Sequence, residues 1–221
     1  MAVDVGLVGD RLVELRRRIA AAGGDGVTVV AVTKGFGPDV VEAAVAVGLD
    51  DIGENYAQEL LAKLAGFGED RPRVHFIGRL QSNKVRSLAG VVDLWQSIDR
   101  PSLVEPLAKV WPPARVLVQV NVSDEPGKGG CAPGDVAALV ARLREREVVV
   151  EGLMAVGRTG PPESARPGFR LLRALADDLG LATRSMGMTD DLEVAVEEGS
   201  TMVRVGSALF GPRPSTRARA N

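Results

Sequence analysis

A lysine at the end of a predicted buried strand is the residue of this sequence best suited to covalent chemistry. Lys34 follows a nearly continuous apolar run, VTVVAVT at 27–33, which is typical of a strand buried on both faces. Desolvation disfavours the charged form of a lysine and makes its amine nucleophilic toward carbonyl groups. A lone lysine at a strand end is more often a solvated residue, so the functional interpretation of Lys34 depends on its surroundings.

A second group of residues near the C-terminus has the composition of an anion-binding site. Ser185 lies at the end of one short predicted strand, and Gly206 and Ser207 end the next, at 201–205. Small residues with free backbone N–H groups at strand ends form cradles for phosphate, although ordinary turns use the same residues. Arg204 interrupts the apolar pattern of the second strand. An unpaired charge inside a core is costly, so Arg204 is either a structural ion-pair partner or a cation that donates to an anion or a ring nitrogen.

Four other polar residues have less specific interpretations. Asn55 is either a helix N-cap or a polar group that points toward the same site. His75, the single histidine, lies inside a strand, where packing is a commoner role than catalysis. Cys131, the single cysteine, has no neighbour in sequence that would activate it. Thr189 is a plausible N-cap for the helix that follows the Ser185 strand.

These residues are positioned by a regular alternation of strands and helices. An amphipathic helix with Val8, Leu12, Leu15 and Ile19 on one face comes first, and short apolar strands with helices between them follow. We predict strands at 27–33, 51–53, 73–78, 91–98, 114–122, 148–154, 183–187 and 201–205. About eight strand-plus-helix units predict an α/β fold, a single (β/α)8 TIM-type barrel with an extra N-terminal helix. A doubly wound open sheet is the alternative, weakened because no GxGxxG motif follows the first strand.

The barrel topology predicts where the site lies. Active sites of such barrels lie at the carboxyl ends of the strands, and phosphate commonly binds after strands seven and eight. Ser185 and Ser207 end those two strands, and Lys34 ends strand one, which is the neighbour of strand eight in a closed barrel. A Pro- and Gly-rich loop at 158–168 is a candidate lid. Asn121 and residues 128–130 could help to close the site.

Composition limits the partners and the location. The chain has 221 residues, 45% of them hydrophobic, and a net charge of −2, so no broad basic field is available for nucleic acid or an anionic membrane. A single cysteine fits a reducing compartment, and the absence of a long apolar run near the N-terminus predicts a cytoplasmic protein without a membrane span. We expect one domain over residues 1–221, with a disordered tail after about 212, and no metal site.

Six segments together resemble the pyridoxal phosphate homeostasis protein family, the alanine racemase-like single-barrel proteins also called the proline synthetase co-transcribed family. The resemblance runs through nearly the whole chain in the same order, and the last segment is highly specific. The segments are VAVTK at 30–34, IGENYAQE at 52–59, HFIGRLQSNK at 75–84, VNVSDEPGKGG at 120–130, EGLMAVG at 151–157 and SMGMTDDLEVAVEEGSTMVRVGSALFG at 185–211.

The resemblance implies an alanine racemase N-terminal domain-like barrel, fold type III, that binds pyridoxal 5′-phosphate (PLP). It implies that Lys34 holds PLP as a Schiff base and that Arg204 contacts the pyridine nitrogen. It further implies a polar ring-side contact from Asn55 and phosphate ligands at Ser185, Gly206 and Ser207. The sequence departs from the family after the lysine, where it has Gly35-Phe36-Gly37-Pro38, and at Ser207, where threonine is common.

Three functions remain open at this point. The resemblance favours a carrier that serves intracellular PLP homeostasis without robust catalysis. We expect a monomer or weak homodimer, with PLP-dependent apoenzymes as its partners. The second function is an amino-acid racemase of low activity that uses the same cofactor. The third is a Schiff-base aldolase, in which Lys34 attacks a phosphorylated sugar without a cofactor. The two-domain racemases take their second base, a tyrosine, from a separate β-domain, which we expect this chain to lack.

Overall fold

Parallel strands pair in chain order and close on themselves in this computed structural model, which describes residues 3–68, 70–125 and 127–213. Within those residues eight strands form the barrel, and the last pairs with the first. The strands are Thr28–Val32 (β1), Asp51–Glu54 (β2), Arg73–Phe76 (β3), Leu94–Ile98 (β4), Arg115–Gln119 (β5), Val149–Met154 (β6), Thr183–Ser185 (β7) and Met202–Val205 (β8). The predicted (β/α)8 barrel is therefore confirmed, and the open-sheet alternative is wrong.

Helices follow the strands and cover the outside of the barrel. The helices are Val5–Ala21 (α1), Asp39–Ala46 (α2), Ala57–Leu64 (α3), Val85–Leu88 (α4), Val104–Leu107 (α5), Val136–Glu145 (α6), Arg166–Asp178 (α7), Leu192–Glu197 (α8) and Ser207–Phe210 (α9). Single 3-10 turns at Ser82–Lys84, Pro101–Leu103, Pro133–Asp135 and Pro162–Ala165 lead into α4, α5, α6 and α7. The extra N-terminal helix is α1, as predicted. None of the helices in the described ranges is long and apolar enough to cross a membrane.

The main hydrophobic core lies between the strands and the helices. α1 contributes the residues of its predicted apolar face, Val8, Leu12, Leu15 and Ile19, all of which are buried. A smaller apolar cluster made of Val30, Leu94, Leu117, Met154 and Met202 packs separately. Strand residues of a barrel alternate between these two environments. Several polar side chains on these strands, among them His75, Gln96 and Arg204, are buried like the apolar ones.

Strand register brings the predicted site residues to one end of the barrel. β1 pairs with β8 through Val30 and Arg204, and with β2 through Val32 and Gly53. The carboxyl ends of these neighbouring strands consequently lead into Lys34, Asn55 and Gly206 side by side. The parallel topology alone produces this convergence.

The predicted lid at 158–168 is shorter in the structure than the sequence indicated. A 3-10 turn occupies Pro162–Ala165, and α7 begins at Arg166. The Arg166 guanidinium donates to Glu163 at 2.7 Å, to Glu197 at 2.7 Å and to Glu198 at 2.8 Å. Pro and Gly indicated a loop, but proline is also well tolerated in the first turn of a helix, and that role applies here. The expected disordered tail, from 214 onward, lies outside the described residues.

Candidate functional site

Lys34 lies two residues after the end of β1 and is half-buried at the mouth of the barrel. Within the described residues its ammonium forms neither a hydrogen bond nor an ion pair. Burial lowers the pKa of the amine, and the positive charges of Arg213 and Arg204 lower it further, while Glu54 opposes the shift. A lysine with these properties has a larger neutral fraction near neutral pH than a surface lysine, and the neutral amine is the form that attacks a carbonyl.

Two hydroxyl groups meet beside the ends of β7 and β8. Thr189 Oγ1 lies 3.2 Å from Ser207 Oγ, across the two loops. Gly206 precedes Ser207, and a Cβ there would lie 3.0 Å from the Val32 carbonyl oxygen, so the glycine lets this loop approach the end of β1 closely. Two adjacent hydroxyls beside a small residue are suited to an anion with several oxygens.

Thr189 was predicted as a helix N-cap, and that prediction is wrong. α8 begins at Leu192 with Asp191 in the N-cap position, and the Asp191 carboxylate accepts from the Met188 N–H at 2.6 Å. The Thr189 hydroxyl is therefore directed to the site instead of to the helix. A signal for this role was present in the sequence, because Thr189 lies in the loop that follows strand seven of a barrel.

The Ser185 hydroxyl makes its contacts inside the barrel. Ser185 is fully buried; its Oγ donates to Gln96 Oε1 at 2.7 Å and accepts from Arg204 Nη1 at 2.7 Å. It forms no hydrogen bond with either Thr189 or Ser207 in the described part of the chain. The structure therefore groups Ser185 with Arg204, not with the hydroxyl pair.

Arg204 is held by oxygen atoms that carry no formal charge. Besides the Ser185 hydroxyl, its guanidinium donates to the Ser185 carbonyl and to the Ala155 carbonyl, each at 2.8 Å. Burial lowers its pKa to about 10, opposed by the nearby charge of Asp191, and the group stays cationic at neutral pH. No carboxylate within the described ranges forms an ion pair with it, so the structural ion pair that we considered is not made. Two of its five N–H groups have no partner among the described residues.

Two buried acceptors without partners lie at the end of β2, next to the end of β1. Asn55 Oδ1 and Glu54 Oε2 are inaccessible to solvent and accept no hydrogen bond in the described structure. Asn55 does not cap α3, because Tyr56 occupies that position. Nearly all buried polar atoms are hydrogen-bonded in native proteins, so each of these two oxygens can accept a further hydrogen bond.

A buried ionic network, which the sequence pattern did not predict, supports the segment that carries Lys34. Lys63 Nζ donates to the Thr33 carbonyl at 2.6 Å, to Glu54 Oε1 at 2.5 Å and to Glu59 Oε1 at 2.7 Å. Glu59 Oε1 also accepts from the Gly35 N–H at 2.6 Å. The residues on both sides of Lys34 are thereby fixed. The i,i+4 spacing of Glu59 and Lys63 was the only signal in the sequence.

The single histidine is packed inside the barrel, and the single cysteine has an unreactive thiol. His75 is buried between Asp51 and Gln96, with hydrogen bonds of 2.8 Å and 2.7 Å, as the packed interpretation predicted. Burial raises the pKa of the Cys131 thiol to about 11, so the thiol is protonated at neutral pH and is not a nucleophile.

Comparison with known proteins agrees with this geometry. The family model of the alanine racemase N-terminal domain matches residues 9–214. The pyridoxal phosphate homeostasis protein of Pseudomonas aeruginosa is 43% identical over 209 residues, which span 90% of this chain and 91% of that protein. The protein of the same name from Escherichia coli K12 is 35% identical over 228 residues, spanning 93% of this chain and 97% of that one.

Solved structures give the same result. PipY of Synechococcus elongatus without PLP has a TM-score of 0.83 and 32% identity, and covers 92% of this chain and 100% of its own. The structure of PipY with PLP bound has a TM-score of 0.80 and 30% identity, with the same coverage. The chain belongs to the pyridoxal phosphate homeostasis protein family, within the group that shares the alanine racemase N-terminal domain.

Proposed function

We propose that this protein binds PLP at the carboxyl-end mouth of the barrel and takes part in PLP homeostasis as a carrier. The observation that carries the proposal is the half-buried Lys34 amine, which has no partner in the described structure and a lowered pKa. The PLP-bound structure of PipY and the names of the relatives support the choice of ligand. PLP supplies an aldehyde that a neutral amine attacks and a ring that withdraws electrons.

The polar groups of the mouth match the polar groups of PLP. Lys34 is suited to the aldehyde, and the unpartnered N–H groups of the Arg204 guanidinium are suited to the ring nitrogen, which is an acceptor when unprotonated. Asn55 offers a buried amide whose oxygen has no other partner in the described chain. Lys34, Arg204 and Asn55 therefore offer the kinds of group that the aldehyde and the ring of PLP require.

The proposed phosphate ligands differ from those that the resemblance implied. We retain Gly206 and Ser207 as phosphate ligands and add Thr189, because its hydroxyl lies 3.2 Å from that of Ser207. Ser185 is no longer proposed as a phosphate ligand, because its hydroxyl already donates to Gln96 and accepts from Arg204. Its proposed role is to hold Arg204.

We also propose that the protein has no robust catalytic turnover, acts within the cytoplasm and is a monomer or weak homodimer. The relatives are named for homeostasis and not for a reaction, which supports the first point. PLP-dependent apoenzymes are the proposed recipients. A carrier needs an attachment that reverses, and imine links to lysine hydrolyse.

The proposal is tested by the visible spectrum of the purified protein, before and after borohydride reduction, with peptide mapping of the label. The expected result is a yellow protein whose colour is lost on reduction and whose label lies on Lys34. Lys34→Ala should remove the reducible chromophore and leave the circular dichroism spectrum unchanged. If a reducible chromophore persists in Lys34→Ala, Lys34 is not the lysine that binds PLP.

The same spectrum distinguishes the PLP carrier from the cofactor-free aldolase. An aldolase that uses Lys34 directly on a phosphorylated sugar is colourless once unbound PLP has been removed, and borohydride traps it only with its sugar. Such an outcome would overturn PLP binding.

A further inference from the structure

A chain of hydrogen bonds crosses the barrel interior and ends on Arg204. Asp51 Oδ1 lies 2.8 Å from His75 Nε2, and His75 Nδ1 lies 2.7 Å from Gln96 Nε2. Gln96 Oε1 lies 2.7 Å from Ser185 Oγ, which in turn lies 2.7 Å from Arg204 Nη1. These five residues, which we call the interior chain, come from β2, β3, β4, β7 and β8, and all are buried.

In the interior chain, the donor and the acceptor of each hydrogen bond can be assigned. Although burial opposes its charge, hydrogen bonds from His75 and Arg73 hold the pKa of Asp51 below its usual value. A carboxylate only accepts, so His75 donates to Asp51 from Nε2, and its Nδ1 accepts from Gln96 Nε2. Gln96 must therefore direct its NH2 group to His75 and its carbonyl oxygen to Ser185.

The direction determines what Ser185 offers to the arginine. Because Gln96 presents an oxygen, the Ser185 hydroxyl donates to Gln96 and keeps its lone pairs for Arg204 Nη1. With the Ser185 and Ala155 carbonyls, this contact fixes three of the five guanidinium N–H groups. Because the guanidinium is planar and rigid, these three contacts also fix the directions of the two remaining N–H groups.

The far end of the interior chain lies at the opposite end of the barrel. Asp51 is the first residue of β2, accepts from Arg73 Nη2 at 2.7 Å, and lines a cleft of about 420 Å³ at the amino-terminal ends of the strands. The interior chain therefore links the Asp51 carboxylate at one end of the barrel to the Arg204 guanidinium toward the other end. A buried polar network of this kind is stable only when all its members are satisfied.

We propose that Gln96, His75 and Asp51 are positioning residues, which act through Ser185 to aim Arg204 at the ring nitrogen of the cofactor. This inference rests on the proposed function. It assigns to three buried side chains away from the mouth a role in recognising the pyridine ring. A merely structural network would affect all ligands of the site equally, whereas a positioning network affects those that present a ring nitrogen.

The test compares PLP with 1-deaza-PLP, in which a C–H replaces the ring nitrogen and the aldehyde and phosphate remain. Both are titrated into wild type, Gln96→Leu and Ser97→Ala. Ser97 is the matched control, because it is buried on the same strand and its hydroxyl donates to the Gly78 carbonyl, outside the interior chain. A hydrogen bond to a charged group corresponds to roughly a tenfold preference for PLP.

We expect wild type and Ser97→Ala to prefer PLP about tenfold, and Gln96→Leu to bind both ligands with nearly equal affinity. A Gln96→Leu protein that keeps the wild-type preference would overturn the inference. The ratio of the two affinities is internal to each variant, so a general loss of stability does not imitate the result.

A second pair of variants tests the direction of the interior chain, and decides the question if Gln96→Leu does not fold. His75→Gln retains a donor for Asp51 and an acceptor for Gln96, and should keep the preference for PLP. His75→Leu retains neither and should lose it. Equal preferences in these two variants would also overturn the inference. A wild-type protein that binds neither ligand would instead overturn the proposed function.

Discussion

Lys63 Nζ lies 2.5 Å from Glu54 Oε1, and the two side chains are 4% and 0% exposed. The pair joins α3 to the end of β2, and the Thr33 carbonyl, which Lys63 also contacts, adds the end of β1. Burial raises the pKa of Glu54, opposed chiefly by the charge of Lys63 and its hydrogen bond. The backbone that presents Lys34 is therefore supported by a charge pair with no access to water.

Removal of the lysine alone should destabilise the protein strongly. Lys63→Met leaves the Glu54 carboxylate buried without a cation, and breaking a buried pair in this way costs about 3–5 kcal/mol. The free energy of unfolding from urea titration measures the loss. The double variant Lys63→Met with Glu54→Gln should recover much of it, because the fully buried carboxylate is removed and only Glu59, which is partly exposed, is left without its cation. Lys109→Met, at an exposed position, is the control. A loss below about 1 kcal/mol would show that the pair is not buried as described.

The capture of PLP should depend on pH through the Lys34 amine. Its pKa is lowered from an ordinary value of 10.5, so the neutral, reactive form accumulates at a lower pH than in a surface lysine. The capture rate, followed by stopped-flow absorbance, should rise with pH and level off below that value. Arg213→Ala should move the midpoint upward, since the Arg213 charge is one of the causes of the shift.

Arg142→Ala is the matched control for that experiment, because Arg142 is exposed on α6. The Arg142 variant should leave the midpoint unchanged. A wild-type midpoint at 10.5 or higher, or equal midpoints in the two arginine variants, would contradict the described environment of Lys34.

The fold was predictable from the sequence because two separate patterns indicate a barrel, one in the strands and one in the helices between them. Runs such as residues 27–33 are apolar on both faces, and the helices between them show regular spacing of apolar residues. Boundaries were less accurate. β1 covers Thr28–Val32 and α7 begins at Arg166, inside the predicted loop. Ion pairs that fix a helix start, such as those of Arg166, join residues far apart in sequence.

The barrel topology predicts that Lys34 lies at the mouth, but it does not predict which hydroxyl faces the mouth. A strand presents alternate side chains to opposite sides, and the last residue of a strand is ambiguous in this respect. Ser185 proved to point into the barrel toward Gln96, and Thr189 toward Ser207. The Glu54–Lys63 pair was missed because two charges in sequence give no sign that both will be buried.

The first phosphate prediction concerns Ser207. Ser207→Glu places a carboxylate beside the proposed phosphate site and should weaken PLP binding by tenfold or more, roughly the effect of a like charge in a desolvated site. Ser207→Thr keeps the hydroxyl and should bind PLP about as well as wild type. Fluorescence titration of the purified proteins with PLP gives both affinities. Equal affinities for the two variants would remove the phosphate from this loop.

The second phosphate prediction distinguishes Thr189 from Ser185. Thr189→Val should weaken competition by inorganic phosphate against PLP several-fold, because one of the two adjacent hydroxyls is lost. Ser185→Ala should leave that competition unchanged, since its hydroxyl serves Gln96 and Arg204. The reverse order of the two effects would restore Ser185 as the phosphate ligand and exclude Thr189.

The protein should be a poor racemase when loaded with PLP. Racemisation needs strong electron withdrawal by the ring and a proton donor or acceptor on each face of the substrate carbon. Arg204 stays cationic at neutral pH, and a fixed positive charge at the ring nitrogen disfavours its protonation, which weakens the withdrawal. Lys34 can serve one face. The single tyrosine of the sequence, Tyr56, is 62% exposed at the start of α3 and has no base or acid bonded to it in the described structure.

The measurement is incubation of the PLP-loaded protein with L-alanine in deuterium oxide, followed for D-alanine and for deuterium at the α-carbon. We expect slow deuterium uptake with little inversion, because a base on one face exchanges the proton without supplying one to the other face. Lys34→Ala is the control and should show neither process. Saturable formation of D-alanine at about 1 per second or faster, lost in Lys34→Ala, would make this barrel an enzyme and overturn the carrier function.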